Sequence, residues 1–174
     1  MLPDLTLIIG GAASGKSDFA EGLVTASGNA KTYLATAQAH DGEMAAKISR
    51  HQISRGDGWR TVEAPLDLSD ALGMACATDV VLLDCATLWL TNNLMADIDL
   101  QIAQKTLLQS LARCKAPVVA VTNEVGAGIV PENALARKFR EAQGQLNHRL
   151  AAQADLAVAV IAGLPMVLKG TLPA

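Results

Sequence analysis

The sequence predicts an α/β fold built on a mainly parallel sheet with helices on both faces, and three observations predict it. Short aliphatic runs alternate with helix-like patterns along the chain. Those runs are apolar at nearly every position, as strands buried on both faces are. Gly10, Gly15, Asp84, Asn123 and Glu124 fall at the carboxyl ends of the runs, where open parallel sheets bind ligands. A chain of 174 residues, 51% hydrophobic, is long enough for one core, so residues 1–174 are read as a single catalytic domain. With aromatics at only 3%, that core is expected to consist of Ala, Leu and Val packed between helices and sheet.

The elements follow in order. Leu5 to Ile9, rich in β-branched residues and closed by Gly10-Gly11, reads as a buried strand, and a helix should run from Ser17 to about Ala26. Lys31 to Ala37 is the second strand. Gly42 to Ser54 places Met44 and Ile48 at helical spacing, with His51 near the helix end. Trp59 to Ala64 is a short extended piece, Asp67 to Cys76 a helix, and Asp79 to Cys85 a core strand carrying Asp84. Helices Thr87 to Met95 and Asp99 to Cys114 lead to a strand at Pro117 to Thr122. Pro131 and Glu132 should open a long helix through Ala152. Leu156 to Ala162 and Met166 to Lys169 close the sheet around a Gly163-Leu164-Pro165 turn.

The net charge of −3 and the lack of a long Lys/Arg run argue against nonspecific nucleic-acid binding and for a localised anion pocket. Cys76, Cys85 and Cys114 lack CxxC spacing, which suggests buried free thiols rather than a disulfide framework or zinc site. The apolar stretch Leu5 to Ile9 is too short for a signal segment or membrane span, which points to a cytoplasmic enzyme.

The strongest motif is Gly10-Gly11-Ala12-Ala13-Ser14-Gly15-Lys16-Ser17, which fits G-x-x-x-x-G-K-S between a strand and a helix and makes the fold P-loop NTPase-like. Glycines let the backbone curl so that N–H groups and the helix N-terminus face the phosphates of ATP or GTP. Lys16 would bridge the β and γ phosphates, and the Ser17 hydroxyl would ligate magnesium. Asp84, ending the run Val80-Val81-Leu82-Leu83, is where a carboxylate would hold that metal, directly or through water; a turn former is the plainer alternative. His51 sits among Arg50, Gln52, Arg55 and Arg60. A neutral imidazole there is a competent nucleophile toward phosphorus, although a histidine beside arginines is more commonly a solvated surface residue. Asn123-Glu124-Val125-Gly126 offers an amide and a carboxylate at the sheet edge, or simply a polar turn.

Several stretches together resemble a known family: the P-loop with its leading Gly-Gly, Tyr33-Leu34-Ala35-Thr36-Ala37-Gln38, Asp41 to Ile48 with His51 soon after, Trp59-Arg60-Thr61, and Val121 to Glu132. They resemble the bifunctional adenosylcobinamide kinase and adenosylcobinamide-phosphate guanylyltransferase family of cobalamin biosynthesis, over almost the whole chain. The P-loop alone fits many families, whereas Thr-Asn-Glu-Val-Gly followed by Ile-Val-Pro-Glu is specific. The resemblance implies phosphorylation of the aminopropanol hydroxyl of adenosylcobinamide, then transfer of GMP from GTP onto that phosphate through a guanylylated histidine, giving adenosylcobinamide-GDP. It maps the histidine onto His51 and the nucleotide contacts onto Gly10, Gly11, Ala12, Ala13, Ser14, Gly15, Lys16, Ser17, Thr36, Ala37, Gln38, Gln52, Ile53, Ser54, Arg55, Glu63 and Asp84. It also implies a homo-oligomer. Two positions depart from the pattern: Ala13 stands where family P-loops commonly have Arg, and Asp84 where the strand-end acid is often Glu.

Three functions compete on these residues. The bifunctional enzyme would form a covalent guanylyl adduct, a plain P-loop small-molecule kinase would transfer the γ-phosphate without one, and a nucleotide-dependent switch would modify no acceptor. The guanine-reading Asn/Thr-Lys-x-Asp element expected of a switch is missing, since Thr122-Asn123-Glu124 lacks the Lys and the Asp.

Overall fold

Apolar runs flanked by glycine and polar residues form the strands. A computed structural model of the chain, which describes residues 1–38 and 56–173, arranges them in one sheet. Strand β1 is Leu5–Gly10, followed by helix α1, Lys16–Ala26, and β2, Ala30–Ala35. After β3, Trp59–Glu63, come a short helix α2, Ser69–Gly73, and β4, Asp79–Asp84. Helices α3, Ala86–Met95, and α4, Leu100–Arg113, precede β5, Val118–Asn123; α5 is Ala134–Gln153, and β6, Leu156–Ile161, and β7, Leu164–Lys169, complete the chain. The strand order is β3-β2-β4-β5-β1-β6-β7. All neighbours are parallel except β7, which runs antiparallel to β6.

Alternate strand residues feed two apolar layers. On one face Ile8, Leu82, Val121 and Val158 pack with Ala20 and Val24 of α1. On the other, Leu7, Leu34, Leu83 and Ala120 pack with Trp89, Leu107, Leu111, Leu146 and Leu150 of α3, α4 and α5. Helices therefore cover both faces, and the inner strands β1, β4, β5 and β6 are apolar at most positions for that reason, whereas the outer strand β3 carries exposed Arg60 and Glu63. Among the described residues no helix is long and apolar enough to cross a membrane.

The structure moves several predicted boundaries. β2 stops at Ala35 rather than Ala37, because Thr36 turns inward and exchanges two hydrogen bonds with Cys85: its hydroxyl donates to the Cys85 carbonyl at 2.8 Å and accepts from the Cys85 N–H at 2.9 Å. The helix expected over 67–76 shrinks to α2, since the Asp67 carboxylate takes the Ser69 N–H at 2.8 Å and Asp79 takes the Cys76 N–H at 2.9 Å. Trp59–Glu63 is a full strand paired to β2. α5 begins at Ala134 rather than at Pro131, because the Asn133 side chain accepts from Ala136 N–H at 3.1 Å and caps it there. The final turn is Ala162-Gly163, with φ of 52° and 79°, the pair of positive values a two-residue type I′ hairpin requires. Pro165 lies inside β7, which tolerates it as an edge strand. The helix predicted over 42–54 lies outside the described residues.

Candidate active site

β1 delivers its last residue, Gly10, into a space with no room for a side chain. A Cβ there would stand 2.5 Å from the Ser14 hydroxyl oxygen and 2.5 Å from the Val160 carbonyl oxygen. The chain then curls through Ala13 at φ 53° and Gly15 at φ 87°, leaving Gly11, Ala12 and Ala13 exposed. Gly15 opens α1, and no side chain caps that helix, whereas Asp99 caps α4 and Asn133 caps α5. The first-turn N–H groups of α1 are thereby left to a ligand, and partial positive charge there favours an anion. Lys16 lies back across the loop, its ammonium 3.2 Å from the Gly11 carbonyl. The far side of the loop is braced by the last hairpin: the Gly163 N–H donates to the Ser14 carbonyl at 2.8 Å. A Cβ on Gly15 would meet Gly163 Cα at 3.1 Å. Gly163 was expected only as a turn residue, and nothing in its local sequence marks this second role.

The sheet register places the acidic candidates. Glu63, Ala35, Asp84, Val121 and Ile8 form one row across β3, β2, β4, β5 and β1. Ala35, Val121 and Ile8 belong to the α1 layer, so Asp84 and Glu63 share the face that carries the P-loop helix. Asp84 stands two strands from β1 and accepts a hydrogen bond from the Tyr33 hydroxyl at 3.3 Å. Glu63 is exposed and four strands from β1, roughly 19 Å away at ~4.8 Å per strand. Glu63 is therefore too far from Gly10 to Ser17 to share one small anion with them.

Among the described residues no group of three or more His, Cys, Asp or Glu is placed to hold a metal. The donors on hand, one carboxylate at Asp84 and one hydroxyl at Ser17, fit magnesium, which takes most of its oxygens from phosphate and water. Thr36 is fully buried with its hydroxyl committed to Cys85, and its carbonyl accepts from the Asn92 side chain at 2.8 Å. Of the stretch Thr36 to Gln38, half-buried Ala37 and exposed Gln38 remain open to a ligand. Burial, then the neighbouring Asp84 carboxylate, pushes the Cys85 thiol up to about 11, so it is no nucleophile. His51, Gln52, Ile53, Ser54 and Arg55 lie outside the described residues.

A buried polar network behind β5 went unseen in the sequence. The Thr122 hydroxyl donates to Asn147 Oδ1 at 2.7 Å, and Gln143 Nε2 donates to both, at 3.0 and 2.8 Å. Asn147 Nδ2 donates to the Asn123 carbonyl at 3.0 Å, and the Asn123 N–H donates to the Thr87 hydroxyl at 2.7 Å. The Gln143 and Asn147 pair, four apart on one face of α5, was the available signal. Their partners come from β5 and α3, which only the fold brings near.

Comparison with known proteins finds relatives over most of the chain. A model of the family described as cobinamide kinase / cobinamide phosphate guanyltransferase matches residues 6–168. The chain is 43% identical over 167 residues to the bifunctional adenosylcobalamin biosynthesis protein CobP of Pseudomonas aeruginosa, a match covering 94% of this chain and 96% of that one. It is 41% identical over 187 residues to the bifunctional adenosylcobalamin biosynthesis protein CobU of Salmonella typhimurium, covering 95% and 99%. Among solved structures, a Pyrococcus horikoshii OT3 protein superposes with a TM-score of 0.57 at 8% identity, covering 97% of this chain and 87% of that one, a likeness of fold alone.

Proposed function

The chain belongs to the cobinamide kinase / cobinamide phosphate guanyltransferase family, and from that premise we propose how its own residues divide the two reactions. It is a bifunctional enzyme of cobalamin biosynthesis, a kinase and a guanylyltransferase. In the first step the aminopropanol hydroxyl of adenosylcobinamide attacks the γ-phosphorus of ATP or GTP, the bond to the bridging oxygen breaks, and the nucleoside diphosphate leaves. Lys16 and the free N–H groups at the start of α1 hold the phosphates and offset the charge that spreads over them. Magnesium held by Ser17 and Asp84 would supply further charge neutralisation there. In the second step a neutral His51 imidazole attacks the α-phosphorus of GTP and expels pyrophosphate. The phosphate of adenosylcobinamide phosphate then displaces the histidine, giving adenosylcobinamide-GDP. Gln52, Ile53, Ser54 and Arg55 are assigned to the guanine nucleotide with His51, and Glu63 to its nucleoside end. Soluble nucleotide substrates suit a cytoplasmic enzyme acting as one domain, and the exposed apolar strand β7 supports a homo-oligomer.

The observation that carries the kinase half is the cradle itself: an uncapped helix start, a loop with two positive-φ residues, and Lys16 lying across it. The histidine half is tested with magnesium and GTP labelled at the α-phosphate. Wild type should retain label after denaturation, acid-labile and alkali-stable, and His51→Ala should retain none. A wild type that binds GTP yet takes up no label would leave a P-loop kinase and remove the role of His51.

A further inference from the structure

We propose that Asn123 is a further catalytic residue of the kinase step, its side-chain amide donating a hydrogen bond to the transferring γ-phosphoryl group. The proposal rests on Gly10 to Ser17 being the phosphate site.

Three observations converge on this residue. The first is its place in the sheet. β5 lies between β1, which carries the P-loop, and β4, which carries Asp84. Asn123 is in register with Gly10, and Asp84 is level with Val121, two residues earlier on β5. A terminal phosphate that touches both the loop and a metal at Asp84 must sit between β1 and β4, over the end of β5. Strand alternation turns Asn123 to the same face as Val121, the α1 face, while Thr122 points the other way into the buried network.

The second is how firmly its backbone is held. The Asn123 N–H is fixed by Thr87 at 2.7 Å and its carbonyl by Asn147 at 3.0 Å. The next N–H, of Glu124, donates to the Gly10 carbonyl at 3.0 Å, tying the end of β5 directly to the start of the loop. Four polar side chains from α3, β5 and α5, those of Thr87, Thr122, Gln143 and Asn147, thus serve to place the backbone of one residue.

The third is the side chain itself. Among the described residues the Asn123 amide makes no hydrogen bond, and its Oδ1 is buried without a partner. Buried polar groups are nearly always paired, so an unspent amide on a rigid backbone at a ligand edge calls for a ligand: Oδ1 can take only a donor, such as water or a ligand hydroxyl, whereas the equally uncommitted Nδ2 is the group that can donate to a phosphate oxygen. Phosphoryl transfer supplies one. As the acceptor oxygen bonds to the γ-phosphorus and the bond to the bridging oxygen breaks, charge spreads over three equatorial oxygens; the electron pair leaves with the nucleoside diphosphate and the hydroxyl proton passes to solvent. A donor fixed in advance toward one of those oxygens needs no reorganisation at that moment.

The test uses the full chain with Asn123→Ala and the isosteric Asn123→Asp, which keeps the shape and replaces the donor by a charge that repels phosphate. Kinase kcat with ATP and adenosylcobinamide should fall by about 100-fold or more in Asn123→Ala and further in Asn123→Asp. In Asn123→Ala, ATP affinity and the label taken up from α-labelled GTP should stay within about threefold of wild type, since the α-phosphate is not the group contacted. Kinase kcat within about threefold of wild type in both variants would overturn the proposal. So would a parallel loss of ATP affinity, guanylylation and kinase activity, which marks a structural role. If Asn123→Ala does not fold, Asn123→Asp decides. Lys16→Ala run alongside separates the premise from the inference: kinase activity that survives it removes the phosphate-site reading, whereas its loss with unaffected Asn123 variants removes only the role of Asn123.

Discussion

Single residues differ in how far their neighbours constrain them, and the three cysteines show the range. Cys76 is exposed, Cys114 is half-buried between α4 and β5, and Cys85 is buried beside Asp84. Burial raises the thiols of both Cys114 and Cys85, the latter to about 11. A thiol raised on folding stabilises the fold below its ordinary range near 9, and that contribution is lost as the pH rises through the folded value. Thermal unfolding midpoints should therefore fall more steeply between pH 9 and 11 in wild type than in Cys85→Ala. At pH 8, iodoacetamide should modify Cys76 in the native protein, and Cys85 only after denaturation, as peptide mapping would read. Rapid native modification of Cys85 would contradict its burial. The sequence predicted buried thiols for all three; exposed Cys76 corrects that, because the five-residue α2 ends before reaching it.

Among elements, the P-loop and its helix follow from local sequence because the motif specifies its own backbone: glycine at Gly10, where a Cβ has no room, and at Gly15, where φ is 87°, then a helix whose first turn is left uncapped. The end of β5 is the opposite case. Its geometry depends on Thr87, Gln143 and Asn147, which lie on two helices distant in sequence. Replacing Asn147 by leucine removes the partner of the Asn123 carbonyl and the acceptor shared by the Thr122 hydroxyl and Gln143 Nε2, which are left only each other. Leaving buried groups unpaired costs about 1–3 kcal/mol, so Asn147→Leu should lower stability by that order in urea unfolding at pH 7. A change below ~0.5 kcal/mol, the range of a neutral surface substitution, would show that the network is solvated rather than buried. Short-range signals also misplaced the ends of β2, α2 and α5, where Thr36, Asp67 and Asn133 spend side-chain hydrogen bonds on the backbone.

For the whole molecule, the sheet ends at β7 on a strand whose six residues are all exposed, among them Leu164, Met166, Val167 and Leu168. An apolar strand edge of this kind is a template for another chain. A second copy of this chain is the expected occupant, so Met166→Lys with Leu168→Glu should shift the sedimentation of an oligomeric wild type to that of a monomer while guanylyl labelling persists. A wild type that sediments as a monomer at micromolar concentration would sink the idea. The sequence by itself determined the alternation of strands and helices, the phosphate loop and the family, because each is written in contiguous residues whose spacing is their geometry. Only the tertiary structure decided that Asp84 and Asn123 share one face beside the loop, that Gly163 braces it, and that Thr36 is spent on Cys85. Strand order and register bring those residues together across long stretches of chain, and no local pattern encodes which strand will lie beside which.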